Sequence, residues 1–166
     1  MTVQRRQFNS LLVAGGSLAV AGCASAPQLS AACTPPSANG LTEQDLRDYI
    51  DAFNRGDFPG FSKYYDENVI FEGRGRDFRS RQQVVDFYTE VKQRLRETIK
   101  INEVIVGAQG IAAEIETELY AFQDWPDLVT GAISKGQTIL TQNFIWYEVR
   151  NAKFVHIRSA RYRKLI

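Results

Sequence analysis

The chain has 166 residues, 44% of them apolar, with 20 lysines and arginines against 19 acidic residues. That length supplies one ordinary core and is short for two. The near balance of charge gives no basis for a nucleic-acid footprint or for a strongly acidic partner.

Residues 1–26 read as a targeting segment and stand outside the fold: Arg5 and Arg6, an apolar run of small residues from Leu11 to Ala21, then Gly22 and Cys23. The run is too short and too glycine-rich to span a bilayer. Arg5-Arg6-Gln7-Phe8 resembles a twin-arginine export signal, with Gln4 and Asn9 departing from its fuller pattern. Val20-Ala21-Gly22-Cys23 resembles a lipobox, which makes Cys23 the lipidated residue and the new N-terminus. The alternative is a plain secretory signal cut near Ala24-Ser25-Ala26. Either reading sends the chain to the cell envelope, in the first case held to a membrane only through the lipid at Cys23. Losing residues 1–22 removes two arginines and no acid, leaving 18 basic against 19 acidic residues. With two cysteines and no His or Cys partner at ligand spacing, no metal site is expected. If Cys23 is not lipidated, a Cys23 to Cys33 disulfide closes only a loop of linker.

Residues 24–40 have the Ala, Ser and Pro content of a tether, and the folded domain is expected over 41–166. Thr42 caps a first helix with Asp45 three residues on, and Gly56 stops it. Leu46, Tyr49, Ile50 and Phe53 give that helix one apolar face with a phenol set in it. A short helix over Phe58 to Tyr64 follows, then a strand Asn68 to Glu72 and a loop carrying Arg74, Arg76 and Arg79. Ser80 caps a third helix that the spacing of Val84, Tyr88, Val91 and Leu95 carries to about Arg96. Strands are predicted over Lys100 to Val106, Ile111 to Gln123, Gln137 to Val149 and Phe154 to Tyr162. Three helices followed by a mostly antiparallel sheet is an α+β plan.

On the strand from Ile111, the set Ile115, Thr117, Leu119 and Ala121 alternates with Glu114, Glu116, Glu118 and Tyr120, so the first set faces inward. The next strand is apolar on both faces and needs cover on both; the outer cover expected is a second copy of the chain. Its Phe144 and Trp146 are taken as inward, on one face with Ile157 and Arg161 of the last strand, which turns His156 outward.

The run LRDYIDAFNRGDFPGFSKYYDENVIFEG and the closing FIWYEVRNAKFVHIRSARY resemble the SnoaL-like branch of the nuclear transport factor 2-like superfamily, over Leu41 to Arg163. The resemblance implies a cone made by a curved sheet and three helices around an interior pocket. It also implies a small apolar or aromatic ligand, and cofactor-free isomerase, dehydratase or lyase chemistry or noncatalytic binding. Within that family ketosteroid isomerase gives a residue-level comparison. Tyr49 matches the tyrosine that donates to the substrate oxyanion, and Glu72 falls at the place of the aspartate base. Gln142 stands where the isomerase has a protonated aspartic acid; an amide donates but is no acid, so the pattern of a steroid isomerase is broken there.

Tyr49 is therefore either an oxyanion donor or a core tyrosine satisfied by a neighbour. Glu72 is either a general base raised by burial or a rim carboxylate paired with Arg74, Arg76 or Arg79. Phe53, Ile115, Leu119, Phe144, Trp146 and Ile157 are the expected lining for an apolar or aromatic ligand. Arg161 is expected to orient an anionic group at the mouth, or to pair with a glutamate. The loop Asp124-Trp125-Pro126-Asp127 is either a lid or a plain connection.

Overall fold

The computed structural model describes residues 35–73, 75–128 and 130–166. The twin-arginine pair and the lipobox cysteine lie outside them. Ten elements follow in order: β1 (Ser37–Ala38), β2 (Leu41–Thr42), α1 (Glu43–Arg55), α2 (Phe58–Ser62), β3 (Tyr65–Glu72), α3 (Arg81–Arg94), β4 (Leu95–Gly107), β5 (Gly110–Ala121), β6 (Thr138–Arg150) and β7 (Lys153–Lys164).

Local chemistry sets the helix ends. Thr42 and Asp45 close a reciprocal capping box at the start of α1, with the Thr42 N–H donating to Asp45 at 2.8 Å. Gly56 ends that helix at φ 73, a left-handed conformation that glycine adopts without a Cβ penalty. Asp57 caps α2, and Ser80 caps α3 by accepting from the Gln83 N–H.

The large sheet runs β3-β7-β6-β5-β4, antiparallel except for the parallel β3–β7 pair. It curves around the helices in the cone arrangement expected from the sequence, an α+β fold. Its inner face and α1 share one core in which Leu46, Phe53, Phe61, Tyr65, Tyr147 and Phe154 are almost fully buried. Phe53 sits edge-on to Phe61 and Tyr88, at 5.4 and 4.8 Å between ring centres.

Several boundaries differ from the sequence expectation; β3, for one, opens at Tyr65 rather than Asn68. The tether does not reach residue 40, because Ser37–Ala38 pairs with Leu41–Thr42 and Ala38 is fully buried. That hairpin docks on the β6–β7 turn: the Ala152 N–H donates to Asn39 O at 3.0 Å, and Asn39 Nδ2 to Val149 O at 2.6 Å. The third helix also stops earlier than Arg96, since β4 begins at Leu95 and pairs with β5 from the Leu95 to Ala121 position onward.

Candidate functional site

Register decides what the interior contains. Thr117 of β5 lies opposite Thr141 of β6, Leu119 opposite Ile139, and Ile115 opposite Asn143. Cross-strand partners share a face. Ile139, Thr141, Asn143, Ile145 and Tyr147 therefore point inward, and all five are buried. On β7, Asn143 is opposite Arg161 and Ile145 opposite Ser159.

These side chains wall a cavity of about 300 Å³. Thr117 and Leu119 come from β5, Ile139, Thr141 and Asn143 from β6, and Ser159 and Arg161 from β7, with Gly75 and Thr130 contributed by two loops. Asn143 is 5% exposed. Its Nδ2 donates to Thr117 Oγ1 and to Thr141 Oγ1, both at 3.1 Å. Thr141 Oγ1 in turn donates to Thr117 O at 3.5 Å. On the loop wall, Thr130 Oγ1 is buried with no hydrogen-bond partner.

The loop over residues 122–137 closes one side. Trp125 anchors it: 7% exposed, exchanging hydrogen bonds with Ile133 at 2.8 and 3.2 Å, and covered by the Arg94 guanidinium at 4.8 Å from its ring. The residues of this loop that face the cavity are thus Thr130 and, in an adjoining cleft, Leu128, rather than the aspartates beside Trp125.

That cleft has a volume of about 30 Å³ and shares Leu119 and Thr130 with the cavity. Glu97 of β4 lines it and is 2% exposed. Glu97 lies between Leu95 and Ile99, both buried, so the period of two already places it inward. It was missed because β4 starts five residues before the strand read from the sequence. Its charge is felt by Lys92, whose ammonium burial pulls below its ordinary pKa against the opposing pull of Glu97.

The residues expected to act together are spread over three places. Tyr49 is in the core, edge-on to Tyr64, Tyr65, Tyr147 and Phe154, with its hydroxyl 2.8 Å from that of Tyr65. Burial, before any neighbour, pushes both phenols well above the usual tyrosine range. Glu72 is on the outer face of β3, where among the described residues its partner is His156 at 2.7 Å. Glu148 stands 4.0 Å from the other His156 ring nitrogen, so that histidine faces outward as expected. Gln142 also points outward and accepts from Arg163 at 2.9 and 2.6 Å. The three do not form one constellation.

The lining is corrected in the same way. Phe144 and Trp146 are outer-face residues, opposite Ala160 and Arg158, and Phe144 is 54% exposed. Phe53, Ile115 and Ile157 are buried in the core and do not form the cavity wall. Leu119 and Arg161 do line it. Among the described residues, no three His, Cys, Asp or Glu side chains gather as metal ligands. The arrangement offers hydroxyls, one amide and a guanidinium: groups that bind and orient, with a carboxylate in the cleft behind.

Comparison with known proteins agrees with this architecture. Residues 46–157 match the SnoaL-like domain. No curated protein matches the sequence. Among solved structures, a Pseudomonas putida protein assigned to the polyketide cyclases is similar at TM-score 0.62 and 22% identity, over 70% of this chain and 87% of that one. An NTF2-like protein of unknown function from Burkholderia pseudomallei is similar at TM-score 0.59 and 16% identity, over 71% and 88%. An epoxide hydrolase of the LEH-like type from M. tuberculosis is similar at TM-score 0.58 and 13% identity, over 71% and 80%. These identities carry the fold and nothing finer. With the match running from α1 into β7, over more than half of its length, the chain belongs to the SnoaL-like domain family.

Proposed function

We propose that this domain binds a small, largely apolar molecule in the cavity between β5, β6 and β7, and moves a proton on it by isomerase, dehydratase or lyase chemistry. The observation that carries the binding is the buried Thr117, Thr141 and Asn143 cluster beneath Arg161, a few polar groups converging on an apolar floor of Leu119 and Ile139. Glu97 takes the proton-moving role that Glu72 was expected to fill, because it is the carboxylate of the adjoining cleft. Thr141, Asn143 and Arg161 hold the ligand's oxygens in place of Tyr49 and Gln142. Noncatalytic binding in the envelope is the competing reading.

A panel of apolar aromatics, ketones and hydroxylated ring compounds, scored by thermal shift on the purified chain, finds the ligand. Glu97→Gln is then expected to lower turnover of a converted hit by about 10²- to 10⁴-fold while leaving its binding in place. Unchanged turnover removes Glu97 from the chemistry, and a hit that is bound but never converted favours the noncatalytic reading.

Export, with a lipid on Cys23, is part of the same proposal and is supported by the Arg5-Arg6 and Ala21-Gly22-Cys23 sequences. So is a homodimer. Phe144 stacks on Tyr162 at 4.6 Å, and both are about half exposed on the outer face of the two strands that adjoin β5 and β3. Among the described residues this aromatic pair is left uncovered, and a two-fold axis sets it against its own copy. Light scattering should give a dimer mass for the wild type and a monomer mass for Phe144→Glu; a monomeric wild type ends the idea.

A further inference from the structure

Polar accounting in the cavity narrows the ligand class, an argument that rests on the cavity being the ligand site as proposed above. Both amide hydrogens of Asn143 are engaged by Thr117 and Thr141. Its side chain lines the cavity, and its carbonyl Oδ1 accepts no hydrogen bond among the described residues. An amide oxygen on a cavity wall is satisfied by an O–H or N–H from whatever fills the space. Thr130 Oγ1, buried and unpartnered on the loop wall, adds a second polar point that both gives and accepts.

At the mouth the demand reverses. Arg161 is exposed, lines the cavity beside Ser159, and forms no ion pair among the described residues. A guanidinium in that setting matches a carboxylate fork to fork, and one cation balances one negative charge rather than two. Asn143 and Arg161 are direct cross-strand partners. Such pairs hold their Cβ atoms about 5 Å apart, so the donor and the anion of the ligand lie near each other.

We infer that the cavity is built for a small hydroxylated or aminated monocarboxylate. Its carboxylate sits at Arg161, its hydroxyl or amine donates to Asn143 Oδ1, and its apolar body rests on Leu119 and Ile139. The cavity volume of about 300 Å³ equals the liquid share of roughly ten waters, which suits a single ring or a short chain.

A matched set of probes tests this by titration calorimetry on the full chain: 3-hydroxybenzoate, 3-methoxybenzoate, benzoate and methyl 3-hydroxybenzoate. The expected result is that 3-hydroxybenzoate binds at least tenfold more tightly than each of the others. Arg161→Gln, a change at an exposed site that leaves folding intact, should erase its advantage over the methyl ester and keep its advantage over 3-methoxybenzoate. Asn143→Leu, which removes the acceptor at similar size, should do the reverse if the variant folds; should it not, Thr130→Val supplies the second interior probe and must weaken the hydroxylated acid. An ester that binds as well as the acid, or a methoxy compound that binds as well as the hydroxyl, overturns the inference. If none of the four binds while the broad panel yields a cavity ligand, the class is wrong and the site stands. If neither set gives a ligand, the site itself falls.

Discussion

Replacing Phe53 by alanine should lower the unfolding free energy by about 3–5 kcal/mol, the usual cost of emptying a ring-sized hole in a packed core. The residue is 1% exposed and held between Phe61 and Tyr88, with the Lys92 ammonium 4.4 Å over its ring and bonded to its carbonyl oxygen at 2.8 Å. None of these neighbours can close the gap without leaving its own rotamer. The melting temperature should fall on the order of 10–20 °C. Phe144→Ala provides the contrast: at dilutions that keep the chain monomeric, it should change stability by less than about 0.5 kcal/mol. Urea unfolding followed by circular dichroism measures both. Equal losses at the two positions would mean that β6 presents its other face to the core.

The second large effect is expected at Gly73, where β3 ends. Its φ is 119, and a Cβ built there would stand 2.3 Å from the carbonyl oxygen of Ser159, a backbone atom with nowhere to go. Alanine must therefore push the end of β3 away from β7, adding backbone strain to overpacking for a total of about 2–4 kcal/mol. Ser159 lines the cavity and Gly75 follows in the same loop, so the displacement opens the site as well. Gly73→Ala should thus lose ligand affinity and melting temperature together. Preserved affinity in a destabilised variant would show that the cavity wall does not depend on this contact.

Much of the fold was open to reading because the signals were local. The four apolar positions of α1, its capping box and Gly56 act within a few residues of one another, and β5 carries glutamates on one side only. Leu119 fell on the correct face for the same reason, whereas Arg161 was grouped with Phe144 and Trp146 and lines the cavity through its pairing with Asn143 instead. β6 resisted, since Leu140, Phe144 and Trp146 on one face are as apolar as Ile139, Ile145 and Tyr147 on the other. Its orientation is fixed by pairing with β5 across a loop of sixteen residues, 122–137, and no periodicity within β6 reports that register. The aromatic residues looked like lining, and the smaller Thr141 and Asn143 that truly face inward were passed over. Glu72 was misplaced by a related ambiguity: Val69 and Phe71, not Ile70, point into the core, so the carboxylate two residues after Ile70 faces out. The pairing of Ser37–Ala38 with Leu41–Thr42 was hidden by composition, because two short strands in an Ala, Ser and Pro context carry no period.

The position of β7 has a bearing on how the chain acquires its structure. The last strand of the sheet in chain order, β7, lies between β3 and β6, so the first long strand has no neighbour in the sheet until residues 153–164 have emerged. Helices α1 to α3 and the β4–β5–β6 meander can form from near neighbours in sequence, but β3 must wait across some ninety positions, from Tyr65 to its partner Phe154. Contacts of such separation carry a large loop-closure cost and come late. A nascent chain not yet extended through β7 would therefore expose the inner edge of β6 and all of β3, and closure of the cone waits until the rest of the sheet is present.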